Sequence, residues 1–323
     1  MAVFTEVAFD DARALASRLA LGGLRELRGI TSGIENTNYF LVSTRGEYVL
    51  TLFERLTFEQ LPFYLHLMKH LALRSIPVPE PQADAAGEIL HSLYGKPAAV
   101  VGKLAGGHQL APDLHHCEQV AAMLARMHEA GTDFSMYQPN LRGVAWWTET
   151  VPLVRPFLTP EQLALIDGEL AYQQSLAASA APRELPRGPI HADLFRDNVM
   201  FEGLPGHEKL TGFFDFYFAG VDTFLFDIAV CLNDWCIDLD SGRLDEERAT
   251  HFCAAYDRVR PLSGAEQRLL PALLRGAALR FWVSRLWDLH LPRDASLLKA
   301  HDPGHFERVL RERVREPWHY VRS

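Results

Sequence analysis

The sequence predicts an α+β protein in two parts, a small antiparallel β-rich N-terminal lobe and a large, mainly helical C-terminal lobe. Three observations carry this. Residues 24–53 alternate short β-like runs with a polar loop and an Arg45-Gly46 turn. From His115 onward, apolar residues recur at helical spacing. Between these regions lies Gly102-Lys103-Leu104-Ala105-Gly106-Gly107, a glycine-bearing exit that reads as a boundary. The expected division is an N-lobe at 1–101, a hinge at 102–107 and a C-lobe at 108–323.

Taken in order, Asp10 is a candidate cap for a first helix with Ala12, Leu15, Ala16 and Leu19 on one face. Leu24–Ile30, Tyr39–Ser43 and Glu47–Phe53 read as three strands, with Ser32–Asn38 as the loop between the first two. Leu56–Leu73 has helical spacing, with Pro62 near its start. Pro77, Pro79 and Pro81 then break the chain, and Glu88–Leu93 with Pro97–Val101 forms a further hairpin around Tyr94-Gly95. Beyond the boundary, Val120, Ala121, Leu124 and Met127 line a core helix ending near His128. Further helices are expected over Glu161–Ala178, Phe224–Trp235, around Leu279–Leu286 and over Phe306–Arg315, the last as packing.

With 323 residues, 48% apolar and 23% charged, the chain has the composition of a globular protein with a sizeable core. A formal net charge of −9 argues against a general nucleic-acid or anionic-membrane binder. The four cysteines, Cys117, Cys231, Cys236 and Cys253, form no C-x-x-C or zinc spacing and read as buried free thiols. His115, His116 and His128 have no third ligand placed for zinc. The N-terminal MAVFTEVAFDDA lacks a basic signal-type region, and no run of about 18 apolar residues occurs. A cytoplasmic protein is the expectation, as a monomer or homodimer.

The stretch with the most chemistry is His191–Phe201, HADLFRDNVMF. His191-x-Asp193-x-x-x-x-Asn198 runs into an apolar strand. A Gly203-Leu204-Pro205-Gly206 turn follows, and a second apolar run ends on Asp215. A hairpin over these residues would bring an amide and a carboxylate to one edge. Transfer of a phosphoryl group needs a carboxylate near the attacking hydroxyl and oxygen ligands for Mg²⁺. Asp193 is the candidate base, and Asn198 and Asp215 are candidate metal ligands. The small and amide residues Ser32, Gly33, Ile34, Glu35, Asn36 and Asn38 suit backbone contact with phosphates, although a plain hairpin loop fits them too. Arg196, beside Asp193, is placed to meet charge developing on the phosphoryl group.

These motifs resemble the kinase-like phosphotransferases, the superfamily of aminoglycoside and choline kinases that shares the protein-kinase core. His191-Ala192-Asp193 stands where protein kinases have H-R-D, and Asp215-Phe216-Tyr217 stands for D-F-G. The resemblance implies ATP and Mg²⁺ as cofactors. It implies main-chain contacts from Val101 and Lys103 to the adenine, and a supporting role for His191 and for Asp227 beneath the catalytic loop. One departure is Thr51, where most of the superfamily carries a cation on the third strand; Arg28 and Arg55 are the nearby cations, and Glu59 the candidate helical partner. The strings ENTNYF, YVLTLFE and LNDWC are similar to the homoserine-kinase branch, which also lacks that cation.

That branch implies an amino-acid acceptor phosphorylated on its side-chain hydroxyl. Such an acceptor needs a cation for its carboxylate, from Arg280 or Arg285, and an anion for its ammonium, from Asp234 with Trp235 as an apolar wall. Each of these four is equally compatible with a structural role. The other readings are a kinase for choline or an aminoglycoside, a stress-type protein kinase, and a catalytically inactive binding module.

Overall fold

The computed structural model describes residues 5–31, 36–291 and 301–322. The expected phosphate-loop residues Ser32, Gly33, Ile34 and Glu35 lie outside them. The chain divides into two compact units, Met1–Ala105 with Thr211–Tyr217, and Gly106–Leu210 with Phe218–Ser323. Asp215 therefore belongs to the first unit, on a segment that sequence reading had grouped with the C-terminal region.

The first unit is built on a five-stranded sheet. Its strands are β1 (Leu24–Gly29), β2 (Thr37–Ser43), β3 (Glu47–Leu52), β4 (His91–Leu93) and β5 (Lys96–Gly102), in the order β1-β2-β3-β5-β4. Every pairing in it is antiparallel. Along β2 buried and half-buried residues alternate strictly, as the period-2 pattern requires. Tyr39, Leu41, Leu50, Leu52, Ala98 and Val100 form one face, and helix α1 (Phe9–Arg18) buries Ala12, Leu15 and Ala16 in the same cluster. Full burial of a leucine-sized side chain contributes about 1.5–3 kcal/mol, so this cluster holds the sheet against α1.

Two local expectations are corrected here. Asp10 is not the cap of α1: Ala8 occupies that position, and the Tyr94 hydroxyl accepts its N–H at 3.0 Å. Helix α2 runs over Pro62–Ala72, not from Leu56, because proline suits the first helical turn, where its missing N–H has no partner to lose. Glu59 consequently lies in an exposed turn ahead of the helix, not on it.

The second unit is mainly helical: α3 (Leu114–Ala130), α4 (Val144–Val154), α5 (Pro160–Ala178), α6 (Phe224–Trp235), α7 (Glu246–Val259), α8 (Gly264–His290) and α9 (Pro303–Arg315). Strands β6 (Arg187–Ile190) and β9 (Gly220–Thr223) pair antiparallel, and β7 (Val199–Glu202) pairs with β8 (Lys209–Phe213) as the expected hairpin. Helix α6 carries no exposed residue at all. It is the internal support on which the catalytic-loop candidate rests. All four cysteines are buried and free. Among the described residues no helix is long and apolar enough to cross a membrane.

Candidate active site

The geometry begins with Asp227, in the first turn of α6 and fully buried. Thr223 caps that helix by accepting the Phe226 N–H, which fixes the turn that aims Asp227. One Asp227 oxygen accepts the His191 N–H at 2.8 Å and the other accepts the Ala192 N–H at 2.7 Å. Ala192 sits at φ +63°, in the left-handed region, a conformation that costs a non-glycine residue about 1 kcal/mol or more. The two hydrogen bonds to a buried carboxylate offset that strain. The loop therefore turns sharply at Ala192 and carries Asp193 onward with its side chain still partly accessible.

Behind Asp227 stands His128, at the end of α3. Its Nε2 lies 3.1 Å from Asp227 and its Nδ1 lies 2.6 Å from the Tyr256 hydroxyl. Burial drives the His128 pKa down, so the ring is neutral. Its partners assign the tautomer: Nε2–H donates to Asp227 and Nδ1 accepts from Tyr256. Burial pushes the Asp227 pKa up, but the hydrogen bonds from His128 and from the His191 N–H outweigh it and leave the carboxyl below its ordinary value. Sequence spacing carries no signal for this pairing, since the two residues lie on helices far apart in the chain.

Asn198 donates its side-chain amide to the Asp193 carbonyl at 2.8 Å, bracing the far end of the loop. That leaves its oxygen as the only acceptor on the side chain. Asp193 Oδ1 lies 3.7 Å from Nη1 of Arg280, a residue of α8 with only 2% of its surface exposed. Asp193, Asn198, His191, Asp227 and Arg280 are thus brought together.

Three of the assigned residues are engaged by other parts of the second unit. Arg196 directs its backbone N–H and Nε to Asp234, at 2.8 and 3.1 Å, its Nη1 to the Leu110 carbonyl and its Nη2 to the Asp234 carbonyl. The guanidinium is a buried brace and is not aimed at a phosphoryl group. Asp234 is correspondingly engaged by Arg196 through Oδ2 and its backbone carbonyl. Burial raises its pKa and the Arg196 charge opposes that. Trp235 is completely buried, and its indole N–H donates to the Leu194 carbonyl at 2.9 Å. It supports the loop from beneath and forms no acceptor wall. Arg285 lies 4.4 Å from the Phe306 ring centroid and donates to the Asp302 carbonyl at 3.3 Å.

In the first unit, Thr51 pairs across the ladder with Asn38 and donates to its side-chain oxygen at 2.7 Å. The uncharged position is filled by a hydroxyl–amide bond within the sheet. Asn38 also donates weakly to the Asn36 carbonyl, at 3.5 Å. Arg28 lies over Phe40 and pairs with Glu26, both at the surface. Val101 is nearly buried and pairs with Val49, and the Lys103 N–H donates to the Glu47 carbonyl at 3.1 Å. Asp215 follows β8 at φ +68°, again left-handed. Next to it the Tyr217 ring packs edge-on against Phe53 and Tyr64, and burial, then the Asp215 charge, pushes its hydroxyl pKa up.

Asn198 carries an amide oxygen and Asp215 a carboxylate, each a hard donor of the kind Mg²⁺ takes and a thiophilic metal does not. Among the described residues there is no cluster of three His, Cys, Asp or Glu side chains spaced to hold a metal.

Comparison with known proteins bears on this loop directly. A protein from Polaromonas naphthalenivorans called homoserine kinase is 68% identical over 318 residues, covering 98% of this chain and 99% of its own. One of the same name from Paraburkholderia phytofirmans is 57% identical, covering 97% and 96%. Among solved structures, an amicoumacin kinase in complex with AMP-PNP superposes with a TM-score of 0.68 at 17% identity, covering 96% and 95%, and shows that the fold is the kinase-like α+β fold expected from the sequence. The family model described as the phosphotransferase enzyme family matches residues 26–262, a span that takes in the Asp227-held loop, Asn198 and Asp215, and the chain belongs to that family.

Proposed function

We propose that this protein is an ATP-dependent homoserine kinase, which converts L-homoserine to O-phospho-L-homoserine for threonine biosynthesis. The observation that supports it best is the buried Asp227 carboxylate holding the Ala192 turn, which presents Asp193 beside a buried arginine in a chain so similar to proteins called homoserine kinase.

In this reading Asp193 accepts the proton of the acceptor hydroxyl as its oxygen attacks the γ-phosphorus. The bond from that phosphorus to the bridging oxygen breaks and ADP leaves. Asn198 and Asp215 are the proposed Mg²⁺ ligands; when bound, the ion offsets phosphate charge. Asn36, Asn38, Val101 and Lys103, with Ser32–Glu35, are the proposed nucleotide contacts. Arg280 and Arg285 are the proposed contacts for the acceptor's carboxylate. A cytoplasmic location fits a biosynthetic enzyme of this kind.

A coupled assay of ADP release with L-homoserine, choline and kanamycin tests the reading. Turnover with homoserine alone is expected, and it should fall on the order of 10²-fold or more in Asp193→Asn. Preference for choline or kanamycin, or equal turnover by wild type and Asp193→Asn, overturns it.

A further inference from the structure

We infer that Arg280 is the residue that reads the acceptor's carboxylate and so restricts the enzyme to amino acids over amino alcohols. This deepens the homoserine reading and rests on it. The observation is an incomplete set of hydrogen bonds. Arg280 is almost fully buried on α8, yet its Nε and Nη2 find no hydrogen-bond partner among the described residues. Leaving a buried donor unpaired costs about 1–3 kcal/mol, more when the group is charged, so two on one guanidinium mark a site that something else completes.

The chemistry of the missing partner follows from which donors are left. Nε–H and Nη2–H point the same way along one edge of the guanidinium plane. That edge matches the two oxygens of a carboxylate, the bidentate arrangement that gives arginine its selectivity for planar anions. The plane itself is fixed: the guanidinium carbon lies 3.7 Å from the Phe281 ring centroid and 4.9 Å from that of Phe218. The remaining nitrogen, Nη1, faces Asp193 at 3.7 Å. One side chain therefore faces the proposed base with one nitrogen and carries, on another edge, two buried donors without a partner among the described residues.

The charge environment agrees. Burial, with repulsion from Arg142 and Arg285, pushes the Arg280 pKa down to about 10 against the pull of Asp193. The guanidinium is still cationic at neutral pH, and an added carboxylate relieves it. A choline-like acceptor would instead bring a further cation beside Arg280, where Arg142 and Arg285 already repel and Asp193 and Asp288 attract. Arg285 is the weaker candidate, because it rests on Phe306 and donates to the Asp302 carbonyl.

The test compares L-homoserine with L-homoserinol, which differs only in having CH₂OH for the carboxylate. With wild type, kcat/KM should favour homoserine by roughly 10²-fold or more, as for a site whose buried donors go unpaired without the substrate group. In Arg280→Gln the homoserine value should fall by much more than the homoserinol value, so that the preference collapses toward unity, with the KM for ATP unaltered. Arg280→Lys, which keeps charge but loses the fork, should fall between. A wild type that uses both acceptors equally well overturns the inference without any variant, and leaves the kinase reading standing. An Arg280→Gln or Arg280→Lys protein that retains the full preference overturns it as well. A wild type inactive on homoserine but active on choline overturns the parent reading and this one with it.

Discussion

Asp227 holds Ala192 in left-handed backbone conformation by accepting its N–H at 2.7 Å, from the first turn of a helix with no exposed residue. The strain of the turn and its remedy are thus separated by 35 positions in sequence and joined in space. The arrangement makes Asp227→Asn a sharp probe. An amide has only one acceptor oxygen, so one of the His191 and Ala192 N–H groups loses its partner, at about 1–3 kcal/mol. The expected result is a lower unfolding midpoint in urea together with a kcat at least tenfold down. Normal turnover in a folded Asp227→Asn protein would show that Asp193 is aimed by something else.

Trp235 separates a supporting role from a substrate role. Trp235→Phe keeps most of the apolar volume and removes the donor to the Leu194 carbonyl. Stability should fall by about 1 kcal/mol, measured by denaturant unfolding, because the buried carbonyl loses its N–H donor and keeps only the weak Cys231 thiol at 3.6 Å. The KM for homoserine should change little, because the indole lies beneath Leu194 with its one polar atom engaged by that carbonyl.

Acid sensitivity should be traceable to His305. Burial, then the charges of Arg285, Arg308 and Arg196, push its pKa down to about 4, and Asp302 only partly opposes them. The unfolded chain has an ordinary histidine near 6.5 and so binds more protons than the folded one between those values. Stability from this group is complete above about pH 6.5 and is lost as pH falls toward 4. His305→Asn should flatten the dependence of the urea midpoint between pH 7 and pH 4.5. An unchanged slope would mean that other groups set it.

Much of the first unit was legible because its signals are local. Alternation along Thr37–Ser43 and the Arg45-Gly46 turn depend on neighbours in sequence, and the strands lie where these place them. The His191–Asn198 spacing was legible for the same reason. What sequence reading missed depends on tertiary partners. Arg196, Asp234 and Trp235 have the composition of a polar site with an aromatic wall. Only the fold shows that the first two are engaged with each other and that the indole lies beneath Leu194. The unpaired edge of Arg280 is likewise invisible in a helical heptad, where the residue is one charge among apolar neighbours.

Asn198 offers the last test, because its two side-chain atoms have different tasks. Its nitrogen donates to the Asp193 carbonyl at 2.8 Å, and its oxygen is the proposed metal ligand. Asn198→Asp keeps an oxygen, and adds negative charge that a divalent cation would welcome. If ligation were the whole role, the variant would keep its activity and bind Mg²⁺ more tightly. The structure argues otherwise: the substitution replaces a donor with an acceptor facing a carbonyl oxygen, so the brace on the catalytic loop becomes a repulsion. We expect kcat to drop on the order of 10²-fold, with no recovery when Mg²⁺ is raised across a titration of the coupled assay. Recovery at high Mg²⁺ would place the defect in metal binding and remove the bracing role from Asn198.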